Sequence, residues 1–150
     1  MNTKIPEYRN IRRILLISSA LCLTLLFSSC ASFFNFPSYY DPTTFKNLTD
    51  LKPEVLMLYD SFATDSPDTA EVRAIRLKLS QMIEYEKGKG PKNIETARQI
   101  ELIKGMYERH VADRLGGDKW SETHLANNKE NMGEAFDIAI STENLKNRNK

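Results

Sequence analysis

Beyond residue 40 the sequence predicts an all-α fold, a small up-and-down bundle of three to four helices after a cleaved signal peptide. Three observations predict it. Apolar residues recur at spacings of three and four in four successive windows, with no sustained alternation of period two. Helix start and stop residues bracket those windows. The turns between windows two and three, and three and four, are about five residues long, which makes sequential helices antiparallel neighbours.

The first window opens at Asp41-Pro42, an N-cap residue followed by proline at the first helical position. Its stripe is Phe45, Leu48, Leu51, Val55, Leu58 or Tyr59, and Phe62. Pro53 removes one backbone bond and crowds the preceding turn, so a kink or break near Leu51 is expected. Ser66-Pro67 repeats the start signal, and Val72, Ile75, Leu79, Met82 and Ile83 form the second stripe. Gly88, Gly90 and Pro91 stop it. Asn93 caps the third window, whose stripe is Ala97, Ile100, Ile103, Tyr107, Val111 and Leu115 before Gly116-Gly117. The fourth opens at Ser121, with Trp120 and Leu125 at the two positions of a hydrophobic staple. Its face is Leu125, Met132, Ala135, Phe136, Ala139 and Ile140, weakened early by Gly133 and three asparagines. The bundle spans residues 41–143, and 144–150 reads as a frayed polar tail.

The first thirty residues follow other rules. Lys4, Arg9, Arg12 and Arg13 against Glu7 give the start a charge of +3. A 14-residue apolar run, Ile14 to Phe27, follows, and small Ser28 and Ser29 precede Cys30. This is the pattern of a secretory signal peptide over residues 1–29. At 1.5 Å per residue the run reaches about 21 Å, short of the ~30 Å hydrocarbon core. An uncleaved anchor would have to extend to Phe34 and accept five serines.

Leu26-Phe27-Ser28-Ser29-Cys30 resembles the lipobox of bacterial lipoproteins, in which an apolar residue and two small ones precede a lipid-bearing cysteine. Phe27 departs from it, standing where leucine is commoner. The resemblance covers the first thirty residues alone. It implies thioether diacylation of Cys30, cleavage before it, and acylation of the new N-terminus. More than one acyl chain gives stable attachment, at about 0.8 kcal/mol per buried CH₂. Ala31 stands where, in proteobacterial lipoproteins, an aspartate retains the protein at the inner membrane. The implied place is therefore the bacterial cell envelope, at the outer membrane facing the periplasm. Residues 30–40 then form an aromatic membrane-proximal tether, with Phe33, Phe34, Phe36, Tyr39 and Tyr40 suited to the lipid–water interface.

Composition narrows the rest. With 21 Lys+Arg against 20 Asp+Glu the net charge is +1, so no basic excess advertises nucleic acid. Cleavage would remove four of those basic residues and one acidic residue, leaving 121 residues at −2. Cys22 would leave with the signal and Cys30 would be acylated, so a disulfide, a cysteine nucleophile and a thiolate metal site are all excluded.

The search for chemistry finds little. His110 and His124 are the only histidines, fourteen residues apart on different helices, without metal-ligand spacing. His110 is the best enzymatic candidate, one turn from Tyr107. Glu84 and Glu86 point to different sides of a helix, and Glu130 and Glu134 share a solvated face. No Gly-x-Ser-x-Gly elbow is present. Lys87-Gly88-Lys89-Gly90-Pro91-Lys92 reads as a cationic turn able to meet headgroups or an acidic partner. The expectation is a lipid-anchored, non-catalytic adaptor or scaffold with an envelope protein partner and no cofactor, metal or nucleic acid. The alternative is a small-ligand carrier or sensor with a pocket between helices lined by Tyr59, Met82, Tyr107 and Phe136.

Overall fold

The computed structural model describes residues 39–64 and 66–146. The signal segment, Cys30, the tether as far as Ser38 and the last four residues lie outside the described residues. The described chain is a four-helix bundle: α1 (Pro42–Ser61), α2 (Thr69–Gly88), α3 (Ile94–Gly116, entered through a 3₁₀ turn at Pro91–Asn93) and α4 (Glu122–Asn144). Each helix packs on the next, and α4 returns to α1.

Polar pairs along the four seams fix the up-and-down course. Lys78 reaches Glu54 between α1 and α2, while Arg76–Glu108 and Lys87–Glu101 join α2 to α3. Gln99 donates to Thr142 between α3 and α4, and Lys52–Asp137 and Lys129–Asp60 close α4 on α1. In the two seams with two such pairs, α2/α3 and α4/α1, residue numbers rise on one helix as they fall on the other. Half-exposed pairs of this kind are worth at most about 1 kcal/mol each, so they select register more than they stabilise.

Stability comes from the shared core. Leu48, Leu51, Val55 and Leu58 of α1 meet Ile75 and Leu79 of α2, Ile100 and Ile103 of α3, and Met132 and Phe136 of α4, all buried. Burying one such side chain contributes about 1.5–3 kcal/mol.

The expected helix ends hold in part. Asp41 caps α1, its carboxylate accepting from the Thr43 N–H at 2.8 Å, and Ser121 caps α4 by accepting from the His124 N–H. Trp120 is buried beside that cap and Leu125 packs against the same core. Three details correct the sequence expectation. Asp68, two residues after Ser66, caps α2. Asn93 makes no side-chain cap; its Oδ1 accepts from Lys146 instead. And α1 runs unbroken through Pro53, whose ring faces solvent, where water can satisfy the Thr49 carbonyl that proline leaves without an amide partner.

The stripes also shift at their margins. Thr44 is buried where Phe45 was expected to lead, and Phe45 packs on Tyr40 at 6.0 Å. Leu115 is exposed, and Arg114 turns inward in its place.

Candidate functional site

The bundle has two unlike ends. At one end α1 finishes, α2 begins, α3 finishes and α4 begins. Here Tyr59, Phe62 and Trp120 pack with both histidines. The Phe62 and Trp120 rings meet edge-on at 4.9 Å, and Trp120 lies 5.7 Å from His110 and 4.7 Å from His124 between ring centres. The short turn into α4 thus brings together two histidines that sequence spacing kept apart.

Each polar group in this cluster has a packing partner. His110 Nδ1 shares a 2.8 Å hydrogen bond with the Tyr59 hydroxyl. Burial, aided by the Arg109 charge, pushes the His110 imidazole below its ordinary pKa, favouring the neutral ring. Burial also pushes the Tyr59 phenol well above its usual range, so it remains protonated. Asp113 accepts from the Trp120 indole N–H at 2.8 Å and sits 3.3 Å from His124 Nε2. Arg114 Nε and the Trp120 amide both donate to the Phe62 carbonyl, closing the end of α1. Among the described residues no group of three or more His, Cys, Asp or Glu side chains is placed to hold a metal ion.

The opposite end gathers the start of α1, the ends of α2 and α4 and the entry to α3. It is built around buried charge. Lys89 Nζ donates to Glu86 at 2.8 Å, Thr44 at 2.8 Å and Asp41 at 3.0 Å, which uses all three of its donors. Thr44 donates to Glu86, which is 1% exposed. The other Glu86 oxygen, Oε2, is buried with no hydrogen-bond partner among the described residues. Tyr85 donates to Asp41 at 2.8 Å. Burial alone would raise the Asp41 carboxyl, but hydrogen bonds from Lys89, Tyr85 and the Thr43 amide outweigh it and hold the group far below the carboxylate range. Fully buried Glu143 accepts from the Asp41 N–H at 2.7 Å and from Lys146, which ties the end of α4 to the start of α1. A cavity of about 550 Å³ lies here, bordered by Tyr39, Tyr40, Tyr85, Lys89 and Lys92.

The lysine turn is therefore less free than its sequence suggests. Lys89 serves the buried network and Lys87 pairs with Glu101 at 2.7 Å. Gly90 adopts φ +90°, a left-handed conformation that glycine takes without strain. Glu86, set aside as one of a split pair, is the residue that sequence reasoning missed. The available signal was a glutamate one turn beyond Met82 and Ile83 on the second stripe. The four side chains expected around a ligand pocket are packed in the core instead: Tyr59, Tyr107 and Phe136 are fully buried, and Met82 is 6% exposed.

Met82 does border a groove of about 360 Å³ between α1 and α2. Leu51 and Met82 are its apolar members, with Asp50, Glu54, Lys78 and Tyr85 around them. The chain matches no family model, no curated protein and no solved structure.

Proposed function

We propose that this chain is a bacterial envelope lipoprotein, held in the outer membrane by acyl chains on Cys30, whose helical body is a non-catalytic periplasmic adaptor. The observation that carries the reading is the order basic start, 14-residue apolar run, Ser28-Ser29-Cys30. Residues 31–38 then link the modified cysteine to the described body. The body supports an adaptor role in two ways. Its histidines are engaged in an aromatic cluster that closes one end of the bundle. Its α1/α2 groove sets Leu51 and Met82, nearly buried, beneath a rim that carries both charge signs, a surface suited to a partner helix that brings charged as well as apolar groups.

A photo-cross-linking residue in place of Gln81, which borders the groove and is exposed, tests this in the native host. We expect a discrete protein adduct from Gln81 and none from the same residue in place of Arg109, exposed on the outer side of α3. Equal labelling from both positions, or adducts to lipid alone from Gln81, contradicts the adaptor.

A further inference from the structure

We infer that the body stands end-on on the bilayer, and that the end built on the Glu86–Lys89 network is a second membrane-contacting surface besides the lipid on Cys30. This rests on the lipoprotein reading. Four independent features point the same way.

First, exposed apolar side chains collect at this end. Tyr39 is 48% exposed, Tyr85 42%, Ile94 38% and Leu145 84%. Tyr39 and Tyr85 border one cavity with Asn93; Ile94 follows Asn93 in sequence, and Leu145, which borders a groove on α4 with Ile138, precedes Lys146, which bonds Asn93. Toward the opposite end Leu115 and Met57, one turn before the end of α1, are the exposed large hydrophobic residues among the described residues. Tyrosines with aliphatic neighbours suit the boundary between headgroups and acyl chains.

Second, three acids of this end are turned inward, Glu86, Glu143 and Asp41, engaged by Lys89, Lys146 and the α1 cap, while the exposed Glu95 and Glu101 are paired with Arg98 and Lys87 and Glu84 faces solvent. Lys87 and Lys92 are exposed at the rim, Lys87 paired with Glu101.

Third, the far end has the opposite character. Asp68, Glu71, Asp118 and Glu122 are exposed there against Arg73 and Lys119, and an anionic leaflet would repel the excess of acid.

Fourth, the chain itself limits the geometry. Nine residue steps separate Cys30 from Tyr39, so a fully extended link spans no more than about 30 Å. Tyr39 belongs to this end. A bilayer is therefore the surface within reach of these four exposed side chains.

The native fluorescence offers a test. Trp120 is the sole tryptophan and lies at the far end, about one 23-residue helix, or ~35 Å, away. The full chain, purified from native-host membranes, is placed in phosphatidylethanolamine–phosphatidylglycerol vesicles with brominated acyl chains. We expect wild-type emission to be unchanged, Leu145→Trp and Tyr39→Trp to lose their added emission, and Leu102→Trp, on the bundle side, to keep it. Unquenched Leu145→Trp and Tyr39→Trp in an acylated sample overturns the end-on contact and leaves the lipoprotein reading standing. Quenching of Leu102→Trp or of Trp120 to the same degree also overturns it, because the body then lies flat or inverted. An unacylated mass for the same sample overturns the lipoprotein reading itself, and the inference with it.

Discussion

Lys89 and Glu86 show what a single buried charge does in this molecule. An ammonium with three acceptors is stable inside a protein; a carboxylate beside it, 1% exposed, is stable because the lysine and Thr44 are there. Removing one partner leaves the other charge under-compensated. Glu86→Ala should therefore lower stability by about 3 kcal/mol. The double change Glu86→Leu with Lys89→Met should recover more than half of that loss, since neither charge is then stranded. Urea unfolding of the two variants checks this through their midpoints. A single substitution costing less than about 0.5 kcal/mol would show that the pair is solvated. Little of this was legible beforehand. Period arguments read apolar letters, and Thr44, Glu86, Arg114 and Glu143 occupy inward positions through hydrogen bonds made to distant helices. Those partners, 42 to 102 residues away, leave no trace in local spacing.

At the scale of the helix, two positions spend stability without a visible packing return. Pro53 deprives α1 of one backbone bond on its solvent face, and Gly133 sits in α4 where an added Cβ would meet only the Lys52 Cε at 3.9 Å, an ordinary contact. Pro53→Ala should stabilise by about 1–2 kcal/mol after allowing for the looser unfolded chain, and Gly133→Ala by about 0.5–1 kcal/mol. Both would appear as a raised Tm; a lowered Tm for Gly133→Ala would mean that α4 needs close approach to α1. The four helices were legible because start residues, stop glycines and apolar periods agreed with one another. Asp41, Ser121 and the Trp120–Leu125 pair mark their elements as expected. The boundary at α2 moved because Asp68 competes with Ser66 for the cap and lies nearer the stripe. Of the kink or break expected near Leu51, the break does not occur, since Pro53 faces water, which can satisfy the carbonyl it leaves open.

For the whole molecule, the described architecture is a closed four-helix body with an aromatic end and a charged end. Short loops and neighbouring helices in sequence order are what the spacing predicted. The meeting of His110, His124, Asp113 and Trp120 was not, because it depends on how α3 and α4 cross at that end. Everything proposed about place and partner rests on the chemistry of Cys30. Intact mass spectrometry of the protein extracted from membranes of its native host tests that most directly. The account predicts a chain beginning at Cys30, 121 residues long, carrying a diacylglyceryl group and an amide-linked acyl chain. A mass equal to the unmodified chain from Met1 would contradict it.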